Sequence, residues 1–225
     1  MCGRFGLTRP ERLDLKRLGL SEAPSLEPRF NISPGEEILV VRDRGGTRVA
    51  DFVHWGFIPH WSKSGKAESI NARGDTAFEK SSFRDAMRLR RCLIPADLFY
   101  EWQVVPGQRH KQPYAVRLKD REPFMLGAIW DFWRPAEGGE GRPSCAILTT
   151  DPNTLMTPIH DRMPVIVPAD KYRMWFDPRT PAPAIRDVMQ AHPSDDMELW
   201  PISLRVNSPK EDDAGLLEPV EEPTL

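Results

Sequence analysis

The sequence predicts an α+β fold built on a curved, barrel-like antiparallel sheet with peripheral helices. Three observations lead there. Short apolar runs with strand spacing crowd residues 38–55 and 92–149, and turn signals such as Gly45-Gly46, Pro106-Gly107 and Gly138-Gly139 separate them. Segments with helical period are few and scattered, without the regular βαβ alternation of a parallel sheet. The 23 prolines favour irregular connections over long helices.

Taken in order, residues 9–20 place Leu13, Leu15, Leu18 and Leu20 at helical spacing, with Pro10 near the start where a helix tolerates it. Residues 38–42 and 48–55 form a hairpin turned at Gly45-Gly46. The aromatic-rich WGFIPHW follows at 55–61. Residues 75–90 are expected to be helical, with Ser82 a cap near the middle. Strands are expected at 92–95, 98–104, 113–118, 124–131 and 144–149, and a short helix at 152–157 behind Pro152. MPVIV at 163–167 reads as one buried strand, and helices follow at 169–175 and 181–190. One domain covers residues 1–207. Residues 208–225 form an acidic, proline-containing tail that is expected to fray.

A chain of 225 residues suits a single core. With 40% hydrophobic and 28% charged residues it falls in the ordinary globular class. It has no apolar run long enough to span a membrane and no signal-peptide stretch, so the expected location is cytoplasmic, nucleoid-associated in a bacterium. The net charge of −2 argues weakly against a nucleic-acid partner, but distribution outweighs the total. Acidic residues crowd the tail (Glu211, Asp212, Asp213, Glu218, Glu221, Glu222), whereas Arg84, Arg88, Arg90 and Arg91 cluster elsewhere. Arginine outnumbers lysine, and its planar fork suits phosphate, although arginine-rich codon usage accounts for the bias equally well.

The three cysteines are too few and too far apart for a disulfide framework or a zinc site. Cys92 and Cys145 lie in apolar runs and read as inert core. Cys2 differs, because removal of Met1 would leave it with both a free α-amine and a thiol. Those groups titrate ordinarily at about 7.7–8.0 and about 8.5, so both are partly nucleophilic near neutrality. Such an aminothiol condenses with an aldehyde to a Schiff base, and the thiol then closes a five-membered thiazolidine. Taken alone, Cys2 is more simply a chance second residue.

Three further segments carry candidate chemistry. Asn71 and Arg73 in NAR offer an amide for orienting an amine or oxygen and a guanidinium for phosphate; helix capping by Asn71 is the plainer reading. In FYEW, strand alternation sends Tyr100 and Trp102 to one face and Glu101 to the other; on a buried face its pKa would rise and suit it to general acid work, and a solvent-facing or ion-paired glutamate is the equal alternative. In HDRMP, His160 and Arg162 precede a buried strand, so His160 is either a proton shuttle or a loop tie. Trp55, Phe57, Trp61 and Trp102 could stack on unpaired bases, though aromatics are more often core.

In order, MCGRF, RFNISP, WGFIPHW, NARGDT, RCLIPADLFYEW, ILTTDPN and HDRMPVIV strongly resemble the SOS-response-associated peptidase (SRAP) family, the abasic-site-processing proteins, over residues 1 to about 206. The resemblance implies that Cys2, as the processed N-terminus, captures the ring-opened aldehyde of an abasic site in single-stranded DNA. It implies active-site roles for Asn71, Glu101 and His160: positioning the amine and sugar, relaying protons, and assisting Schiff-base chemistry and crosslink reversal. It implies phosphate contacts from Arg4, Arg73 and Arg162, and stacking from Trp61 and Trp102. It also implies a barrel-like α+β fold, no metal or organic cofactor, and no obligatory protein partner. The sequence departs from the family at Leu98, which stands where DGFYEW has glycine; a turn of different shape is expected there. An N-terminal-nucleophile cysteine peptidase with autocatalytic loss of Met1 is the alternative activity, and AP-lyase chemistry could accompany capture. A non-catalytic single-strand-binding module is the third reading.

Overall fold

A computed structural model of the chain describes residues 2–67 and 69–221. The processing expected at Met1 falls outside the described residues, as do residues 222–225 of the predicted tail. The strands are β1 (Phe5–Leu7), β2 (Arg29–Ile32), β3 (Glu37–Arg44), β4 (Thr47–Trp55), β5 (Asn71–Arg73), β6 (Arg91–Ala96), β7 (Leu98–Gln103), β8 (Gln112–Leu118), β9 (Phe124–Trp133), β10 (Arg142–Thr150), β11 (Met163–Pro164), β12 (Ile166–Val167) and β13 (Met197–Pro201). The α-helices are short: α1 (Leu15–Leu18), α2 (Arg84–Leu89), α3 (Tyr172–Phe176) and α4 (Ala182–Val188).

One sheet has five strands in the order β13-β8-β7-β1-β2. The other runs β11-β10-β4-β3-β6-β9-β12, with β5 beside β10. Because β9 also pairs with β10, the strands β10, β4, β3, β6 and β9 close into a barrel. The barrel-like α+β expectation holds. The pairings of β10 with β4 and with β5 are parallel, so the barrel is not purely antiparallel.

Strand alternation sorts the barrel's side chains into two cores. Val40, Val53, Trp55, Ile94, Leu126 and Ile147 share one cluster with Phe5, Ile32, Phe99 and Val116 of the five-stranded sheet. Val41, Leu93, Ile129 and Leu148 face the other way and are covered by Phe83 and Met87 of the α2 region, Trp175 of α3 and Ile185 of α4. The small sheet therefore packs against the barrel interior, and the helices coat the outside.

The β3–β4 hairpin forms as expected, with Gly45 and Gly46 both at positive φ (64° and 92°) in its two-residue turn. Several other expectations need correction. Residues 9–20 break into a 3-10 turn at Pro10–Arg12 and the short α1, because Leu13 is extended, Asp14 caps Arg17 and Gly19 turns left-handed. The helix expected over 75–90 shrinks to α2. Ala77, Phe78 and Phe83 are all buried there, at a spacing off the helical period that only a chain of turns can satisfy. The helix expected at 152–157 is a set of turns in which the Asn153 side chain caps Met156 and its carbonyl accepts from Thr157. MPVIV is two strands, not one: β11 pairs with β10, β12 pairs with β9, and Val165 bridges between them through Leu148 O and Gly127 N.

Over its described part, residues 208–221, the tail makes side-chain bonds and buried contacts with the rest of the fold. The amide of buried Asn31 is shared among the carbonyls of Val206, Ser208 and Glu211. Asp212 accepts from the backbone of Phe30 and Asn31 and pairs with Arg29. Leu216 is buried against Leu98, Tyr100 and Ile202.

Candidate active site

Cys2 is carried in by β1, which lies between β7 and β2 in the small sheet. The antiparallel register pairs Phe5 with Phe99 and Gly6 with Leu98, and Tyr100 N–H donates to Arg4 O at 3.0 Å. Continued by two residues, that register brings the Gly3 end of the chain beside Glu101. Phe5 packs on Trp55 with ring centroids 5.3 Å apart, which fastens β1 to the barrel core. Leu98, at the position where the family has glycine, needs no left-handed backbone; Arg121 is the one non-glycine residue at positive φ among the described residues. The space is supplied across the strand pair instead. A Cβ on Gly6 would meet Arg29 O at 3.0 Å and Leu98 Cγ at 3.1 Å, so glycine at 6 accommodates leucine at 98.

Alternation along β7 holds as expected. Leu98, Tyr100 and Trp102 face the small cluster formed with the C-terminal segment, whereas Phe99 faces the main core. Glu101 shares that second side and is 1% exposed. Asn71 opens β5, in parallel register with Ile147 of β10. The Trp55 indole N–H holds the carbonyl of Ile70 at 2.9 Å, immediately before Asn71. Trp55 therefore supports both Phe5 on the cysteine strand and the backbone that presents the asparagine. His160 sits on the turn just before β11, which is itself paired with β10.

These four side chains meet. Asn71 Nδ2 donates to Cys2 O at 3.0 Å, and its buried Oδ1 has no hydrogen-bond partner among the described residues. His160 Nε2 lies 4.0 Å from Glu101 Oε2. Cys2 feels the charge of Glu101, and its Sγ contacts Arg4 O at 3.8 Å. The cluster spans the junction of the two sheets: Cys2 and Glu101 belong to the small sheet, Asn71 and His160 to elements docked on β10.

Burial sets the electrostatics. It pushes the Cys2 thiol well above its ordinary range, and the Glu101 charge adds to the effect. It pushes Glu101 up to about 7, where a carboxyl group can give or take a proton near neutrality. It lowers His160, which favours the neutral ring. Nδ1 of that ring has two neighbours, the Arg162 backbone N–H at 3.1 Å and the Asp161 carboxylate at 2.8 Å. Nδ1 thus faces one donor and one acceptor, while Nε2 lies on the Glu101 side at a charge-contact distance of 4.0 Å, too long for a direct hydrogen bond. No group of three or more His, Cys, Asp or Glu among the described residues is arranged to hold a metal ion.

A family model described as SOS response associated peptidase (SRAP) matches residues 1–209. The chain belongs to this family. It is 36% identical over 224 residues to "Abasic site processing protein YoqW" of Bacillus subtilis (strain 168), covering 97% of this chain and 99% of that one. It is 28% identical over 228 residues to "Abasic site processing protein YedK" of Escherichia coli (strain K12), covering 98% and 100%. A crystal structure of a protein from Bacteroides thetaiotaomicron matches with a TM-score of 0.85 at 23% identity, over 98% of this chain and all (100%) of that one, and shows the shared fold.

The residues that the SRAP resemblance implies for DNA contact are placed unevenly. Arg4 is half-buried and donates to Gly3 O at 2.9 Å. Arg73 is exposed but grips Asp75 through both oxygens (2.7 and 3.2 Å). Arg162 is buried and spends its guanidinium on Asp151 and Thr149 O, each at 2.6 Å. Trp61 is exposed. Trp102 lies on the face of β7 opposite Glu101 and donates to Asn207, so it is not brought to the cluster. Trp55 and Phe57 are fully buried core.

The sequence reading missed Gln103 and Tyr114. Tyr114 stands directly opposite Glu101 on β8, and its hydroxyl donates to Gln103 Oε1 at 3.1 Å. The Gln103 amide then donates to Pro158 O at 3.0 Å, tying β7 to the turn that bears His160. Alternation from Glu101 to Gln103 was the signal available for Gln103.

Proposed function

We propose that this protein processes abasic sites, and that it does so by forming a thiazolidine between the processed N-terminal Cys2 and the ring-opened aldehyde of an abasic site in single-stranded DNA. The observation that carries the reading is the meeting of Cys2, Asn71, Glu101 and His160 at one sheet junction. The names of the similar proteins from Bacillus subtilis and Escherichia coli support the substrate class.

The steps balance within the site. The Cys2 α-amine adds to the C1′ aldehyde, and loss of one water leaves the Schiff base. The Schiff base is left as an iminium, and the thiol adds to its carbon as the sulfur proton passes to the Glu101 carboxylate, closing the ring. Glu101, titrating near 7, gives a proton to the departing oxygen and accepts one from sulfur. Asn71 holds the Cys2 carbonyl and keeps Oδ1 available for the amine or a sugar hydroxyl. His160, whose pKa burial lowers, stands with Nε2 4.0 Å from Glu101, placed to assist the Schiff-base step.

The peptidase alternative would use the same buried thiol with Glu101 as its adjacent base, so the site's acid–base chemistry does not separate the two readings. The names of the similar proteins favour the abasic-site reading. The test is a denaturing gel of processed protein with a single-stranded oligonucleotide carrying one abasic site. A shifted band that disappears in Cys2→Ala is expected. Absence of any denaturation-resistant adduct would falsify the reading, and a Cys2→Ser protein that crosslinks as stably as the parent would exclude the thiazolidine.

A further inference from the structure

We propose that the tip of the β7–β8 hairpin, residues 104–111, is a phosphate-gripping arm for the single strand entering the site. The inference rests on the function proposed above and extends it to residues outside the catalytic cluster.

The argument begins with charge that is not already spent. A cation paired within the protein offers little net field to a phosphate, because its partner carboxylate repels what it attracts. Arg73 is bound to Asp75, and Arg162 to Asp151. Arg4 is not paired with a carboxylate among the described residues but is half-buried and bonded to Gly3 O, so exposed, unspent positive charge has to come from elsewhere on the rim. Arg109, His110 and Lys111 are consecutive and exposed, and no side chain of the three has a hydrogen bond or ion pair among the described residues.

Geometry puts this run beside the site. The β7–β8 ladder ends at the Gln103–Gln112 pair, so residues 104–111 project past it as a loop. Glu101 lies on the same strand, two residues before the end of the ladder. Gln103 also holds Pro158 O, two residues before His160, so the base of the hairpin is fixed to the histidine turn. Lys111 is near enough for its charge to act on His160. Val104, at the base of the loop, is 69% exposed and adds an apolar surface to the same arm. Arginine and lysine on a projecting loop beside a buried reactive cluster suit a flexible polyanion, which they bind by neutralising successive phosphates.

The test is salt-dependent binding. A labelled single-stranded oligonucleotide with one abasic site is titrated between about 50 and 200 mM salt, in a Cys2→Ala background that isolates non-covalent binding. Arg109→Gln with Lys111→Gln is expected to flatten the log–log salt slope by about 1.4, from two lost contacts at about 0.7 each for single strands. With Cys2 intact, the same double variant should reach the parent crosslinking rate at saturating DNA, with the half-saturating concentration raised several-fold. The swap Arg109→Lys with Lys111→Arg should restore the parent slope. Lys16→Gln with Arg17→Gln, on α1 in the outer helical layer, should leave it unchanged. An unchanged slope in the hairpin variant overturns the proposal, as does an equal loss in the α1 control. If the parent protein forms no adduct, the proposed function fails while the slope comparison still decides the hairpin. If no salt-dependent binding is measurable in any variant, the hairpin proposal falls, while the adduct still decides the proposed function.

Discussion

Replacing Glu101 by glutamine should stabilise the fold in a way that depends on pH. Glu101 is 1% exposed, and its burial raises the pKa from 4.5 to about 7. The folded chain therefore binds the proton more tightly than the unfolded one. By linkage, the associated stability is fully present below pH 4.5 and is lost as pH rises through about 7. Each tenfold change in proton affinity is worth about 1.4 kcal/mol, so holding the ionised carboxylate costs about 3 kcal/mol at pH 8. The amide of Glu101→Gln would keep the shape without the charge. Urea denaturation of both proteins from pH 4.5 to 8.5 should show equal stability at the acid end and a growing advantage for Glu101→Gln, reaching about 3 kcal/mol above pH 7. His160 contributes with the opposite sign, since burial lowers its pKa, but it does so in both proteins and largely cancels in the difference. A difference that stays flat across that range would refute the reasoning, because a carboxylate with an ordinary pKa produces no such window.

Other perturbations test the supports of the site. Trp55→Phe removes the indole bond to Ile70 O and should cost about 1–2 kcal/mol in urea denaturation; on the proposed function, it should also slow adduct formation more than it weakens DNA binding, through misplacement of Asn71. Asp212→Ala strips the caps from Phe30 and Asn31 and the partner from Arg29, and should lower stability by about 2–3 kcal/mol. An unchanged urea midpoint would mean that the C-terminal segment does not brace β2. Gly6→Ala should be destabilising because its Cβ meets Leu98 and Arg29 O. Adding Leu98→Ala should recover part of that loss in a double-mutant cycle, and strict additivity would show that the two positions do not compensate.

Local features of the sequence were the legible ones. Gly45-Gly46 between alternating runs announced the β3–β4 hairpin, and the alternation in FYEW foretold which face Glu101 takes. What escaped depends on partners distant in sequence. MPVIV is continuous in chain but is shared between two strands, a division made by β9 and β10 rather than by its own residues. The acidic composition of the tail suggested fraying, yet Asp212 finds partners most of the chain away at Arg29–Asn31, and Leu216 packs on Leu98 and Tyr100, half the chain away. The four candidate residues were individually visible in their motifs. Their meeting was not, because Cys2 and Glu101 reach the cluster through the small sheet and Asn71 and His160 through β10.

On the proposed function, the same burial explains why this cluster can do chemistry and why it costs stability. Enclosure raises the Cys2 thiol, so sulfur cannot add to an imine as a preformed thiolate and must lose its proton during the step. The acceptor has to be close and must not be a permanent acid or a permanent base, because an earlier step asks it to supply a proton to departing water. A solvent-exposed glutamate, ionised throughout the neutral range, could accept but seldom donate. Moved to about 7 by the same enclosure, Glu101 divides its time between the two forms and can serve both steps. The glutamine variant separates the two consequences. Its neutral side chain should gain the stability that ionised Glu101 forfeits, while being unable to carry the proton, so the more stable protein should be the slower one.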